Sequence, residues 1–185
     1  MHNPFHFLER FLFVLSELLF YPVILALTFL VFYMVYQGGV FLRLLLERKE
    51  GKDFYVDFFL ERLNYLKGRY TQRAFLIELE AVITDIELKL LKRLDRVRVV
   101  VRLGPALGLL GTLIPMGVAL SELAKGNLAV MAERMVTAFT TAIVGLACGA
   151  VSYLMSITIE RWNKETLSKI YYLAEKEGLE SKEEA

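Results

Sequence analysis

Few of the residues that do chemistry are present. The 185 residues hold one cysteine, Cys148, two histidines and one tryptophan. A lone cysteine excludes an intramolecular disulfide, and no Cys/His spacing suits a metal box. His2 and His6 are i, i+4 partners, but two histidines without a third ligand do not close a metal site. There is no Ser/His/Asp grouping, no phosphate-binding loop and no pair of carboxylates inside an apolar run, so nothing points to an enzyme or a cofactor. Cys148 lies within an apolar run and reads as a small packing residue. The most telling shortage is of charge. Stretches 23–42, 103–121 and 135–159 contain no Asp, Glu, Lys or Arg.

What fills those stretches is apolar, and the whole chain is 56% hydrophobic. Twenty helical residues span about 30 Å, the thickness of a bilayer core. The expected fold is therefore an all-α membrane protein with three transmembrane helices and long helical cytoplasmic extensions. Residues 1–20 read as an interfacial amphipathic helix, with Glu9, Arg10, Ser16 and Glu17 on one face. A secretory signal is excluded: the start is not basic, no small-residue cleavage site follows, and the apolar run is too long. Tyr21-Pro22 breaks the pattern, and Pro22 opens transmembrane helix 1 over 21–46, a Phe/Leu/Val-rich helix facing lipid.

Residues 47–102 form a charged cytoplasmic helical domain. ERKEGKD, 47–53, is a solvated turn. Residues 54–66 repeat apolar side chains at helical spacing, with Gly68 ending that helix. From Thr71, a stripe of Leu76, Leu79, Ile83, Ile86, Leu90 and Val97 steps by three and four, with a gap at Arg93. Nothing breaks it before Gly104-Pro105, so one helix runs into transmembrane helix 2 over 103–123. A short external turn, 124–134, leads to transmembrane helix 3 over 135–159. The tail, 160–185, is a cytoplasmic helix able to pack Leu167, Ile170, Leu173 and Ala174 on that stripe, with Gly178 as its end.

Topology follows from the cations. Of 22 Lys and Arg, 13 lie between Arg48 and Arg102 and 5 lie after Ile159. Three spans put both groups on one side, which the positive-inside rule makes the cytoplasm. The N-terminus and the 124–134 turn are then outside. Lys89, Lys92, Arg93, Arg96, Arg98 and Arg102 read as lipid headgroup contacts, not as a nucleic-acid surface.

The last two spans carry more than an anchor needs. Gly104, Gly108 and Gly111 on one, and Gly145 and Gly149 on the other, permit close helix packing. Thr112 on the first and Thr137, Thr140 and Thr141 on the second have two readings. They line a polar path, or each bonds back to a carbonyl of its own helix. Pro115 removes one backbone bond and marks a bend or a hinge. A proton path needs a titratable group in the membrane, and neither span offers one at mid-depth. A carrier must then come from another polypeptide. The competing reading is a non-conducting oligomeric scaffold that docks cytoplasmic partners.

GPALGLLGTLIPM, 104–116, resembles the signature of the MotA/TolQ/ExbB proton channel family, and AFTTAIVGL, 138–146, resembles that family's following helix. The order of spans and loops agrees. The resemblance implies a homo-oligomeric ring, commonly a pentamer, around a single-span ExbD/TolR/MotB-type partner that supplies a membrane Asp. It implies a proton-driven or sodium-driven motor in the cytoplasmic (inner) membrane, ExbB/TolQ-like given the short cytoplasmic loop. Thr112 matches the pore threonine of the first paired helix, and Thr141 or Thr140 that of the second. Three departures stand out. Thr137 occupies the place of a Glu that TolQ- and ExbB-type proteins carry, Gly149-Ala150 replaces a Pro after the GL pair, and Pro115 replaces a Gly.

Overall fold

The computed structural model describes residues 4–49, 53–66 and 72–183. They form four helices: α1 Pro4–Lys49, α2 Phe54–Leu66, α3 Gln72–Ala124 and α4 Leu128–Glu183. No strand occurs among the described residues. Among the described residues, three stretches are long and apolar enough to cross a membrane: Val14–Lys49, Ala74–Ala124 and Leu128–Lys176. The all-α, three-span expectation holds. His2 and Gly68 lie outside the described residues, as do the side chains of His6, Glu9 and Arg10.

Two expected breaks are absent and a third is shorter than expected. α1 runs through Pro22, so no separate surface helix ends at Tyr21. Proline deletes one i to i−4 bond, and the bonds of the long apolar helix on either side carry the chain past it. The turn expected over 124–134 shrinks to 125–127. Gly178 does not end α4, which continues to Glu183.

The shortened turn has a specific construction. Gly126 has φ 77°. Its N–H donates to the Leu123 carbonyl at 2.9 Å, and the Asn127 N–H donates to the Glu122 carbonyl at 3.0 Å. These are the two bonds of a Schellman motif, whose left-handed residue favours glycine. Asn127 then starts α4. Its carbonyl accepts from Met131 N–H at 3.1 Å, and its side-chain oxygen accepts from Val130 N–H at 3.4 Å. One residue thus closes the old helix and caps the new one.

The chain divides into two compact units, Met1–Gly38 with Arg98–Tyr153, and Gly39–Val97 with Leu154–Ala185. In the first, α1 buries Val23, Leu27 and Leu30. Leu30 meets Val100 and Cys148, with Leu107 and Val144 beside them. The other side of α1 exposes Leu25, Phe29, Phe32, Val35 and Tyr36. Such a face suits hydrocarbon, which solvates Leu and Phe as well as a protein core does.

The second unit is organised as a water-soluble bundle would be. Phe59, Leu63 and Leu66 of α2 pack with Phe75, Leu79, Ile83, Ile86 and Leu90 of α3 and with Ile170 of α4. Leu167, Leu173 and Ala174 flank this core, as expected for the tail. Burying each such side chain from water stabilises by about 1.5–3 kcal/mol. The α3 stripe differs from expectation at two points. Phe75 belongs to it and Leu76 is 41% exposed, while Leu94 fills the step that Arg93 leaves open. Steps of four then outnumber steps of three, which is the period of an ordinary α-helix and not the tighter heptad repeat.

Candidate ion-path helices α3 and α4

The paired spans touch backbone to backbone. A methyl group added at Gly145 would lie 2.6 Å from the Gly104 carbonyl oxygen and 2.6 Å from the Gly108 Cα. One added at Gly104 would lie 2.8 Å from the Gly145 carbonyl oxygen and 2.9 Å from the Gly149 nitrogen. One at Gly149 would meet the Pro105 ring at 2.8 Å. Gly108 is nearest the Gly145 Cα, at 3.2 Å. Only glycine permits this approach, and it brings many weak contacts into range where no hydrophobic effect drives association. The seam continues at Gly111, where an added methyl would lie 2.8 Å from the Thr141 Cβ and 2.9 Å from its Oγ1.

The four threonines fall in different surroundings. Thr141 is buried against α3, and its hydroxyl donates to the Ala138 carbonyl at 2.8 Å and the Thr137 carbonyl at 3.2 Å. Thr140, its neighbour, is exposed and donates to the Val136 carbonyl at 2.8 Å. Thr112 and Thr137 are half-buried. Thr112 donates to the Leu109 carbonyl at 2.7 Å, and Thr137 to that of Glu133 at 3.1 Å. Every one of these hydroxyl protons is bonded within its own helix, so what each threonine offers outward is an oxygen lone pair.

Charge flanks the spans at their ends, and at the turn end it is paired. The Glu122 carboxylate accepts from Lys125 Nζ at 2.7 Å and from Asn127 Nδ2 at 3.2 Å. Glu133 is exposed one turn before Thr137. Pro115 is fully buried, and α3 continues past both it and Pro105.

Sequence reasoning missed two arrangements. Gly111 and Thr141 form a complementary pair, which the small residue opposite a hydroxyl on facing spans would have signalled. In the second unit, Arg48 bonds to Glu165 at 3.0 Å, to the Trp162 carbonyl at 2.9 Å and to the Thr166 hydroxyl at 2.8 Å. The Thr166 hydroxyl in turn donates to Asp53 at 2.9 Å, and Arg48 lies 3.5 Å from that carboxylate. No local pattern relates residues more than a hundred positions apart.

Three spans, a glycine seam between the last two, and hydroxyls on and beside that seam define a multi-pass helical membrane protein with unusually close-packed partner helices. The chain belongs to the MotA/TolQ/ExbB proton channel family, whose profile matches residues 52–171. The match takes in α2, α3 and most of α4. No curated protein and no solved structure matches the chain.

Proposed function

We propose that the chain is the ring-forming subunit of a proton- or sodium-driven membrane motor, ExbB/TolQ-like, assembled as a homopentamer in the cytoplasmic (inner) membrane. The N-terminus lies outside and the tail in the cytoplasm. A single-span ExbD/TolR/MotB-type protein occupies the ring axis and contributes the titrating Asp. Ion flow past that Asp does work elsewhere, as in energised transport across an envelope.

One observation carries this reading. The sequence puts no acid, base or histidine between 103 and 121 or between 135 and 159. A family of proton channels with no titratable group in its paired spans needs the group supplied from outside the chain. Thr112, Thr137, Thr140 and Thr141 are then assigned to the path. Three of them keep surface outside the protomer, while Thr141 supports the wall from within the seam. The seam glycines serve packing, and buried Pro115 is assigned as the hinge.

The complex in liposomes should take up protons only with the partner present. Thr112→Val and Thr141→Val keep side-chain shape and remove the oxygen, and each should reduce flux. Unchanged flux in both sinks the pore assignment. Thr140→Val fixes the register, since it affects flux only if the exposed threonine faces the ion. Partner-independent absence of flux would favour the scaffold.

A further inference from the structure

The unit made by Gly39–Val97 and Leu154–Ala185 contains a cavity of about 340 Å³. That volume lies within the roughly 300–1,000 Å³ of small-molecule sites. Its walls differ in character. Val40, Leu44 and Ile159 make one apolar, while Arg48, Arg93 and Arg96 make another cationic. Arg48 is committed to Asp53, Glu165, Thr166 and the Trp162 carbonyl.

Arg93 and Arg96 are not committed. They stand one turn apart on α3, and neither is in a hydrogen bond or ion pair among the described residues. Glu47 and Tyr55 also line the cavity and attract Arg93 at a distance without pairing with it; the Glu47 carboxylate is bonded to Arg43 at 2.8 Å. Two guanidiniums at i, i+3 repel one another, and Arg93 is half-buried, which removes part of its hydration. A shared anion relieves both costs. Two planar forks one turn apart match the several oxygens of a phosphate.

The apolar wall narrows the source of that phosphate. Val40 and Leu44 belong to the last turns of the membrane-capable stretch of α1. A soluble phosphate has no use for them, whereas a phospholipid carries glycerol and methylenes next to its phosphate. We propose that Arg93 and Arg96 bind the phosphate of an anionic phospholipid, with its glycerol and first methylenes against Val40 and Leu44. Such a site ties the charged unit to the membrane surface. It requires that the chain sit in a membrane and not that it conduct, so it stands or falls separately from the channel reading.

Trp162 supplies the readout. It is the only tryptophan in the chain, lines the cavity, stacks on Phe41 at 5.5 Å and has the Arg48 guanidinium 5.2 Å from its ring. The full chain in neutral detergent is titrated with dioctanoyl phosphatidylglycerol, dioctanoyl phosphatidylcholine or inorganic phosphate while tryptophan emission is followed. Phosphatidylglycerol should give a saturable change at concentrations about tenfold below phosphatidylcholine, and Arg93→Gln or Arg96→Gln should weaken it about tenfold each. Inorganic phosphate should give no saturable change over the same range. Arg96→Gln alters an exposed position and keeps the test alive if Arg93→Gln unfolds, as judged by far-UV circular dichroism. Equal affinity for the two lipids, or full affinity in Arg96→Gln, overturns the proposal. Inorganic phosphate matching phosphatidylglycerol overturns the lipid assignment. A flat response to all three overturns the site.

Discussion

A methyl group on Gly145 would sit 2.6 Å from the carbonyl oxygen of Gly104, a backbone atom that no rotamer change can move. Gly145→Ala should therefore destabilise the fold by about 1–3 kcal/mol, the range for overpacking. Gly117 lies on the same span with nothing within 4 Å of an added methyl. Gly117→Ala should be neutral or stabilising by up to about 1 kcal/mol, the difference in helix propensity. Denaturation midpoints in detergent, followed by far-UV circular dichroism, compare the two. Equal midpoints would contradict a tight seam.

Gly111 makes a different prediction because it faces a side chain. Gly111→Ala alone should destabilise, and adding Thr141→Ala should recover part of the loss, since it removes the Oγ1 and Cγ2 that the methyl meets at 2.9 and 3.3 Å but keeps the Cβ at 2.8 Å. No side-chain change should rescue Gly145→Ala in the same way. The same denaturation midpoints measure the coupling.

In the second unit, Ile170 is 0% exposed and its neighbour Tyr172 is 69% exposed. Ile170→Ala should cost about 2–5 kcal/mol, and Tyr172→Ala should stay within about 0.5 kcal/mol. A small effect of Ile170→Ala in equilibrium unfolding would mean that the tail does not contribute to this core.

Arg48 and Asp53 are both largely shielded, at 23% and 16% side-chain exposure. Arg48→Ala leaves Asp53, Thr166 and the Trp162 carbonyl short of a donor and should cost about 1–3 kcal/mol. A double-mutant cycle with Asp53→Ala should give a coupling of about 0.5–3 kcal/mol. Strict additivity would show that the short distances carry no energy.

Gly126 holds φ 77°, where a Cβ is strained. Gly126→Ala should cost about 1 kcal/mol and Gly126→Asn clearly less, since Asn tolerates that region. Thermal midpoints of the two variants separate the backbone effect from loss of a side chain.

Much of this architecture was legible because membranes and helices impose simple rules. The charge-free runs gave three spans by length alone, and the helical spacing of apolar residues over 54–66 gave α2. Legibility failed where competition is global. Pro22 reads locally as a helix start, but an apolar helix extending on both sides absorbs one missing bond. Leu76 and Phe75 are equally apolar, and only the direction of α2 and α4 packing decides which is buried. The threonines showed the same limit. Their presence was plain, but whether position 140 or 141 enters the seam depends on the rotation of α4 about its axis, which Gly111 fixes.

The glycine seam also sets what can slide. A one-turn slip of α4 along α3 is about 5.4 Å. In one direction it would carry Thr141 from Gly111 onto the buried Pro115 ring, and in the other it would carry Gly149 from Pro105 toward the branched side chains of Val100 and Val101. Each slip places a bulky side chain at one end of the seam, which disfavours it and holds the two helices together as a single stave. In the motor proposed above, the stroke would then come from bending at Pro115 or from movement at the joints the stave forms with its neighbours, and not from shear within it.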